Sequence, residues 1–258
     1  FNRISTAFIG PGFALNKNMM VETGVLFESE NIFRKKNIIS RVIGIPDANT
    51  LYKHHNFAAV FRLSQNNLNA PYYASKGNRL TIEAKYSFSH RLKLADPIFT
   101  DSAEMSLYDY FNPESGLYNN GNPGNITRLL ITNDYIQALS KKISLIFKGF
   151  AGMNYSNKHG ISESNYLYFN NKFTIGGIED KSTPANPNFI GLNRQELPYN
   201  AVTSLGLALQ YNLFTNFYLI PQANYGWENR SFNVLKNIFN QDPLIGYGMR
   251  VGYMSVIG

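Results

Sequence analysis

From Leu80 to Phe88, apolar and polar residues alternate without a break. Leu80, Ile82, Ala84, Tyr86 and Phe88 fall on one side, and Thr81, Glu83, Lys85 and Ser87 on the other. Side chains of a strand point alternately to its two faces, so this stretch predicts a strand with one apolar and one polar face. It exceeds the roughly five or six residues of an ordinary strand. About ten residues is what a tilted strand needs to cross a bilayer. Such a strand could turn its apolar face to lipid and its polar face to a wet interior.

The same period recurs along the chain, and no segment shows a convincing helical period. Strands are predicted over about 2–11, 19–30, 37–46, 55–65, 79–90, 126–139, 142–154, 200–211, 216–227 and 245–256. The segment 164–174 enters a long connection. Late in the chain, Leu205, Leu207, Leu209 and Tyr211 alternate with Ser204, Gly206, Ala208 and Gln210. Tyr247, Met249, Val251 and Tyr253 alternate with Gly246, Gly248, Arg250 and Gly252. Small residues on the second face suit a crowded interior where something packs against the wall.

Connection lengths alternate as well. The segments 31–36, 66–78, 140–141 and 212–215 are short or compact, whereas 47–54, 92–125, 155–199 and 228–244 are mostly longer. In an up-and-down barrel every second connection lies on the same side. Short turns on one side and long loops on the other is the outer-membrane pattern, with the short turns periplasmic. The predicted fold is all-β, an antiparallel transmembrane up-and-down β-barrel. Residues 1–258 form one domain, in which 155–199 is a long extracellular loop folding toward the lumen.

Composition fits this reading. The hydrophobic fraction is 44%, with 17 Tyr and 19 Phe, and the mean hydropathy is -0.24. A barrel of half-apolar strands keeps its mean hydropathy modest and places aromatics at the interfaces. No apolar run approaches the roughly 18 residues of a transmembrane helix. No signal peptide is visible, and Phe1 falls inside an alternating pattern, as if the chain began in mid-strand. Cysteine is absent, which excludes disulfide scaffolds and thiolate metal sites. The net charge of +7 is not gathered into a basic stripe, so no nucleic-acid partner is expected. Lys35-Lys36 and Lys141-Lys142 read as solvated turn charges, with anionic headgroups as their next candidate contact.

Three motifs in order add a resemblance. Asn66-Asn67-Leu68-Asn69-Ala70-Pro71-Tyr72-Tyr73-Ala74-Ser75-Lys76-Gly77 resembles a periplasmic turn of the BamA/TamA-type outer-membrane barrel superfamily, with Asn69, Pro71, Tyr72, Tyr73 and Gly77 as its marks. Phe173-Thr174-Ile175-Gly176-Gly177 sits where that family opens its large sixth extracellular loop. The run Gly246–Gly258 is similar to its third-from-last strand, with Val256 where a Pro is usual. The closest flavour is the barrel attached to patatin-like phospholipases in Bacteroidota-like bacteria, with Phe189-Ile190-Gly191-Leu192 and Asn216–Pro221 among the similar runs. Insertase members carry an Arg in the sixth loop that docks inside the wall. Phe189–Leu192 has none, and Arg194 follows it; the missing Arg favours the patatin-linked branch. On a sixteen-stranded family barrel the ten strands would be the fifth to the fourteenth, an incomplete barrel.

The chemistry of hydrolysis is not written here. Patatin-like catalysis needs a Gly-x-Ser-x-Gly elbow and an Asp. Gly160-Ile161-Ser162-Glu163-Ser164 lacks the closing Gly, and no Asp-Gly dipeptide exists. The expectation is no enzyme in this chain and no cofactor. Asp96, Asp101, Glu104, Asp109 and Glu114 show no regular oxygen-ligand spacing for calcium. His54-His55 with His90 and His159 read as exposed loop histidines. Arg3, Arg41, Arg62, Lys85, Arg128, Lys148 and Arg250 fall on the polar face, opposed by fewer acids, among them Glu22, Glu83 and Asp134. Packing of wall against loop is preferred for them over a conducting pore. Expected partners are outer-membrane lipid and lipopolysaccharide, with other outer-membrane or periplasmic subunits, or a second copy in a homodimer, as further candidates. The expected function is an outer-membrane barrel that anchors or translocates an attached patatin-like domain; an insertase and a passive channel are the alternatives.

Overall fold

The structure, a computed structural model, describes residues 2–33, 50–94, 125–157, 173–176, 189–192, 197–229 and 242–254. These form β1 (Asn2–Ile9), β2 (Gly12–Asn16), β3 (Met19–Phe33), β4 (Thr50–Asn66), β5 (Gly77–Leu94), β6 (Ile126–Ala138), β7 (Ile143–Ser156), β8 (Phe173–Ile175), β9 (Leu197–Tyr199), β10 (Ala201–Phe214), β11 (Phe217–Asn229) and β12 (Leu244–Tyr253). Ten of them make one antiparallel up-and-down sheet in the order β1-β3-β4-β5-β6-β7-β10-β11-β12, with β2 also pairing β3. β8 and β9 form a separate two-stranded piece. The sheet is not closed; β1 and β12 are its edges.

β1 and β2 follow one another along the same side of β3. The expected single strand 2–11 is broken at Gly10-Pro11 because proline has no N–H for the ladder. Its carbonyl instead accepts from Thr23 N at 3.2 Å. Gly10 and Gly24 pass so closely that a Cβ on Gly10 would collide with the Thr23 carbonyl.

Connections sort by end of the sheet. The segments 17–18, 67–76, 139–142 and 215–216 lie at one end, and the strand ends at Phe33, Thr50, Leu94, Ile126, Ser156, Ala201, Asn229 and Leu244 lie at the other. The strand expected over 37–46 lies outside the described residues. β3 pairs β4 directly, from Met19↔Gln65 to Phe33↔Thr50, so no strand stands between them in the sheet. Residues 31–33 and 50–54, expected in connections, are therefore strand. His54-His55 is likewise not in a loop. His54 is buried on one face of β4, while His55 on the other stacks against Phe27 with ring centroids 5.9 Å apart. The polar run Lys53-His54-His55-Asn56 hides the period of two that marks a strand start.

The sheet curls. From β5 to β12 there are five strand steps, roughly 24 Å if the sheet were flat. Yet Tyr73, four residues before β5, rests on Gly252 of β12. Four extended residues reach at most roughly 14 Å, and a tyrosine side chain does not cover the difference. The concave face is the one that meets Tyr73.

Burial on the two faces is the reverse of a soluble protein. The concave face buries Glu28, Asn56, Glu83, Lys85, Arg128, Asn154 and Gln210. The convex face exposes Phe57, Tyr86, Phe88, Leu129, Ile131, Leu205, Leu207, Met249 and Val251, with Tyr247 84% exposed. Large apolar side chains normally go inside, and a continuous apolar surface of this extent marks contact with another apolar phase. The face assignment made for Leu80–Phe88 is the one found: Glu83, Lys85 and Ser87 are buried, and Tyr86 and Phe88 are exposed.

Candidate functional site

The concave face is the surface with chemistry, and strand register decides its pattern. Glu22, Arg62 and Glu83 face one another across β3, β4 and β5. Arg62 donates through Nε and Nη2 to Glu83 Oε2 at 3.0 and 2.7 Å, and through Nη1 to Glu22 at 3.3 Å. Register also sets Lys85 opposite Arg128, a repulsive pairing. The two cations turn apart. Lys85 Nζ reaches both oxygens of Glu28, two strands away, at 3.0 Å. The Arg128 guanidinium stands over the Phe173 ring, 4.9 Å from its centroid, a contact that strengthens when shielded from water.

Phe173 belongs to the first of two structures that sit on this face. At the long-loop end, pieces of the 157–200 connection pack onto the wall. Phe173, Ile175, Phe189 and Tyr199 join Leu130, Phe150 and Val202 in one apolar cluster. Phe173 meets Phe150 edge-on, with centroids 5.8 Å apart. Glycines in the wall receive these side chains. A Cβ on Gly152 would stand 2.5 Å from the Phe173 ring, one on Gly226 3.2 Å from the Phe189 ring, and one on Gly248 2.8 Å from Ile190 Cγ2. On Gly246 it would collide with the Ile190 carbonyl oxygen. Gly176 contributes its carbonyl, which accepts from Phe189 N at 2.7 Å. Asn200 ties the segment down: its N donates to Asn229 O at 2.9 Å and its O accepts from Asn154 N at 2.8 Å.

At the short-turn end, the 67–76 turn folds against the same face. Asn69 Oδ1 accepts from the backbone of Ser75 and Lys76 at 3.0 and 3.1 Å, and its Nδ2 donates to Ser75 Oγ at 3.0 Å. Gly77 closes the turn at φ +123, beside the Asn67 carbonyl, a conformation open to glycine. Tyr73 stacks on Tyr218 with centroids 4.2 Å apart and planes 4° from parallel, and Gly252 makes room for its hydroxyl end. Gln210 Nε2 donates to the Tyr73 and Ala74 carbonyls at 3.1 and 3.2 Å. Ala74 is buried among Ile136, Ile146, Ala208 and Ile220. Pro71 and Tyr72 stay exposed.

Of the expected site residues, Glu83, Lys85 and Arg128 meet in the charged row, while Lys148 and Arg250 line a cavity beside Tyr73. Phe173 and Gly176 lie on the wall; Gly191 is exposed, at φ +92. Gly177 and Arg194 lie outside the described residues, as do Arg41, Asp96–Glu114 and His159. Sequence reasoning missed Glu28 as the partner of Lys85, and it missed Gly152 and Tyr218 as the seats of Phe173 and Tyr73. A Tyr facing an inward Gly was the one available signal.

No protein-family model and no curated protein matches the chain. Among solved structures, CdiB from Acinetobacter baumannii aligns over 98% of this chain and 45% of that chain, with 12% identity and a TM-score of 0.40. The chain thus spans less than half the length of that protein. A likeness of this degree carries no argument about function, which must come from the wall itself.

Proposed function

We propose that this chain is wall of an outer-membrane β-barrel, and that the barrel anchors or translocates an attached polypeptide domain. The observation that carries the membrane reading is the convex face. Aromatics gather toward both ends, Phe57, Tyr86, Phe88, Tyr155 and Tyr225 at one and Tyr135, Phe147, Phe214 and Tyr253 at the other, with Ile131, Leu205, Leu207 and Met249 between. Tyr155 and Phe147 stand eight residues apart on β7, roughly 26 Å along the strand and about 20 Å at a 40° tilt. An outer-membrane barrel has an apolar band about 25 Å tall between aromatic girdles. Lipid would require the β1 and β12 edges to be paired.

The packed segments at both ends of the concave face support anchoring or translocation over a passive channel. The likeness of Phe189–Leu192 and Asn216–Pro221 to patatin-linked barrels, and the missing Arg in Phe189–Leu192, favour a patatin-like attached domain. The full-length protein is expected to need detergent for extraction and to migrate faster unboiled than boiled. Release into buffer alone would sink the membrane reading. Leu207→Arg, in the middle of the apolar band, should cost about 2–4 kcal/mol of folding stability in bilayers. A change within about 0.5 kcal/mol, the range of an ordinary surface substitution, would place Leu207 in water.

A further inference from the structure

The turns at the short-turn end carry a one-sided charge. Segments 17–18, 67–76, 139–142 and 215–216 hold Lys17, Lys76, Lys141 and Lys142 and no Asp or Glu. All four lysines are exposed, and among the described residues none of their ammonium groups has a carboxylate partner. The sequence joining β5 to β6 is the reverse: Asp96, Asp101, Glu104, Asp109 and Glu114 stand there with neither Lys nor Arg. Two of the turn lysines are adjacent, on a backbone that is held in place. Leu139 N and Ser140 N donate to Ile143 O at 2.9 and 3.1 Å. Ser140 Oγ accepts from Lys142 N and Ile143 N at 3.2 and 3.1 Å. Asn212 N donates to Lys142 O at 2.8 Å, which ties this turn to the end of β10.

Apolar surface runs up to these ammonium groups. Leu139 is 55% exposed and Phe214 70% exposed, and Phe214 packs on Phe217 with ring centroids 5.8 Å apart. Register sets Leu209 beside Leu145 and Tyr211 beside Ile143, so the convex apolar face continues to the turn. A lysine lays its stem along apolar surface and keeps its ammonium in the polar layer. At a bilayer that layer holds lipid phosphates, which lysine meets as a point charge.

We propose that the 139–142 turn binds the headgroup of an anionic glycerophospholipid. Lys141 and Lys142 hold the phosphate, and Leu139 and Phe214 meet the first carbons of the acyl chains. Lys17 and Lys76 extend the same positive field along the rim. Free phosphate would use the ammonium groups but leave Leu139 and Phe214 in water. This rests on the membrane reading and names the lipid that meets one rim of the wall.

The test is native mass spectrometry of the detergent-solubilised full-length protein, titrated separately with phosphatidylglycerol, phosphatidylcholine and inorganic phosphate. Phosphatidylglycerol should bind more tightly than phosphatidylcholine, and phosphate alone should not be retained. Lys141→Gln and Lys142→Gln should each weaken phosphatidylglycerol binding roughly fivefold, the worth of one Lys at an anionic surface. Both should leave phosphatidylcholine binding unchanged. Lys141→Arg keeps the charge and should keep the preference. Phe214→Ser removes acyl contact without charge and should weaken both lipids alike. Lys148→Gln, in the cavity on the concave face, should leave the preference as it is. Equal binding of the two lipids would overturn the anionic headgroup assignment, and phosphate binding as tightly as phosphatidylglycerol would overturn the lipid. An equal loss with Lys148→Gln would overturn the turn as the site. Heat-shifted migration of each variant reports that it has folded. A protein that needs detergent but shows no preference for phosphatidylglycerol refutes this proposal alone, whereas release without detergent refutes the barrel.

Discussion

The two ends of the concave face are covered by segments built on different principles. At the short-turn end the cover is one contiguous turn, knit by Asn69 to its own backbone and seated by the Tyr73–Tyr218 stack. At the long-loop end it is assembled from separated pieces around Phe173, Phe189 and Tyr199, which rely on sockets at Gly152, Gly226 and Gly246. A contiguous turn loses little entropy when it closes, because the strands it joins are already neighbours. A cover drawn from a long connection has more to order and depends on shape complementarity with a distant wall. The first is a local device and the second a tertiary one.

That contrast can be broken at several points. Gly246→Val should have the largest effect, about 3 kcal/mol in thermal unfolding, because the new side chain meets the Ile190 backbone, which cannot rotate away. If the sheet is wall of a closed barrel, as proposed above, conductance across a planar bilayer should rise as the long-loop end opens. Gly152→Val should cost about 2 kcal/mol, since it displaces the Phe173 ring and with it the Arg128 contact. Gly252→Val should cost less than either, because it meets the far end of a tyrosine side chain that can swing. If all three valines cost the same, the distinction between backbone and side-chain sockets is void. Tyr73→Ala should lose about 1.5 kcal/mol from the stack and expose 67–76 to protease without altering cleavage at the other end. Asn69→Ala, worth about 1 kcal/mol of turn hydrogen bonds, should loosen the turn alone. Equal opening of both ends by Asn69→Ala would show that the two covers are coupled.

Much of the wall was legible because a strand writes its two faces into alternate positions. Leu205, Leu207 and Leu209, or Tyr247 through Tyr253, needed only a period of two. An expected strand start came late where the period was masked, at Lys53–Asn56, and the strand expected over 2–11 started at Asn2 but was broken at Gly10-Pro11. The strand expected over 37–46 lies outside the described residues, and alternation says nothing about neighbours. The direct ladder between β3 and β4 is a fact of pairing. At the candidate site, the charged positions were readable as facing inward, but their partners were not. Glu28 reaches Lys85 across an intervening strand, a relation fixed by register and curl rather than by spacing. The inward glycines signalled that something packs on them without saying what.

The sequence by itself determined an all-β chain whose strands carry one apolar and one polar face, joined by connections of alternating length. Those properties are local, set by side-chain alternation and by turn chemistry. The tertiary structure alone decided which face is concave, which acid each base meets and which aromatic enters which glycine socket. Each depends on residues far apart in the chain, brought together only when the sheet takes its register and bends.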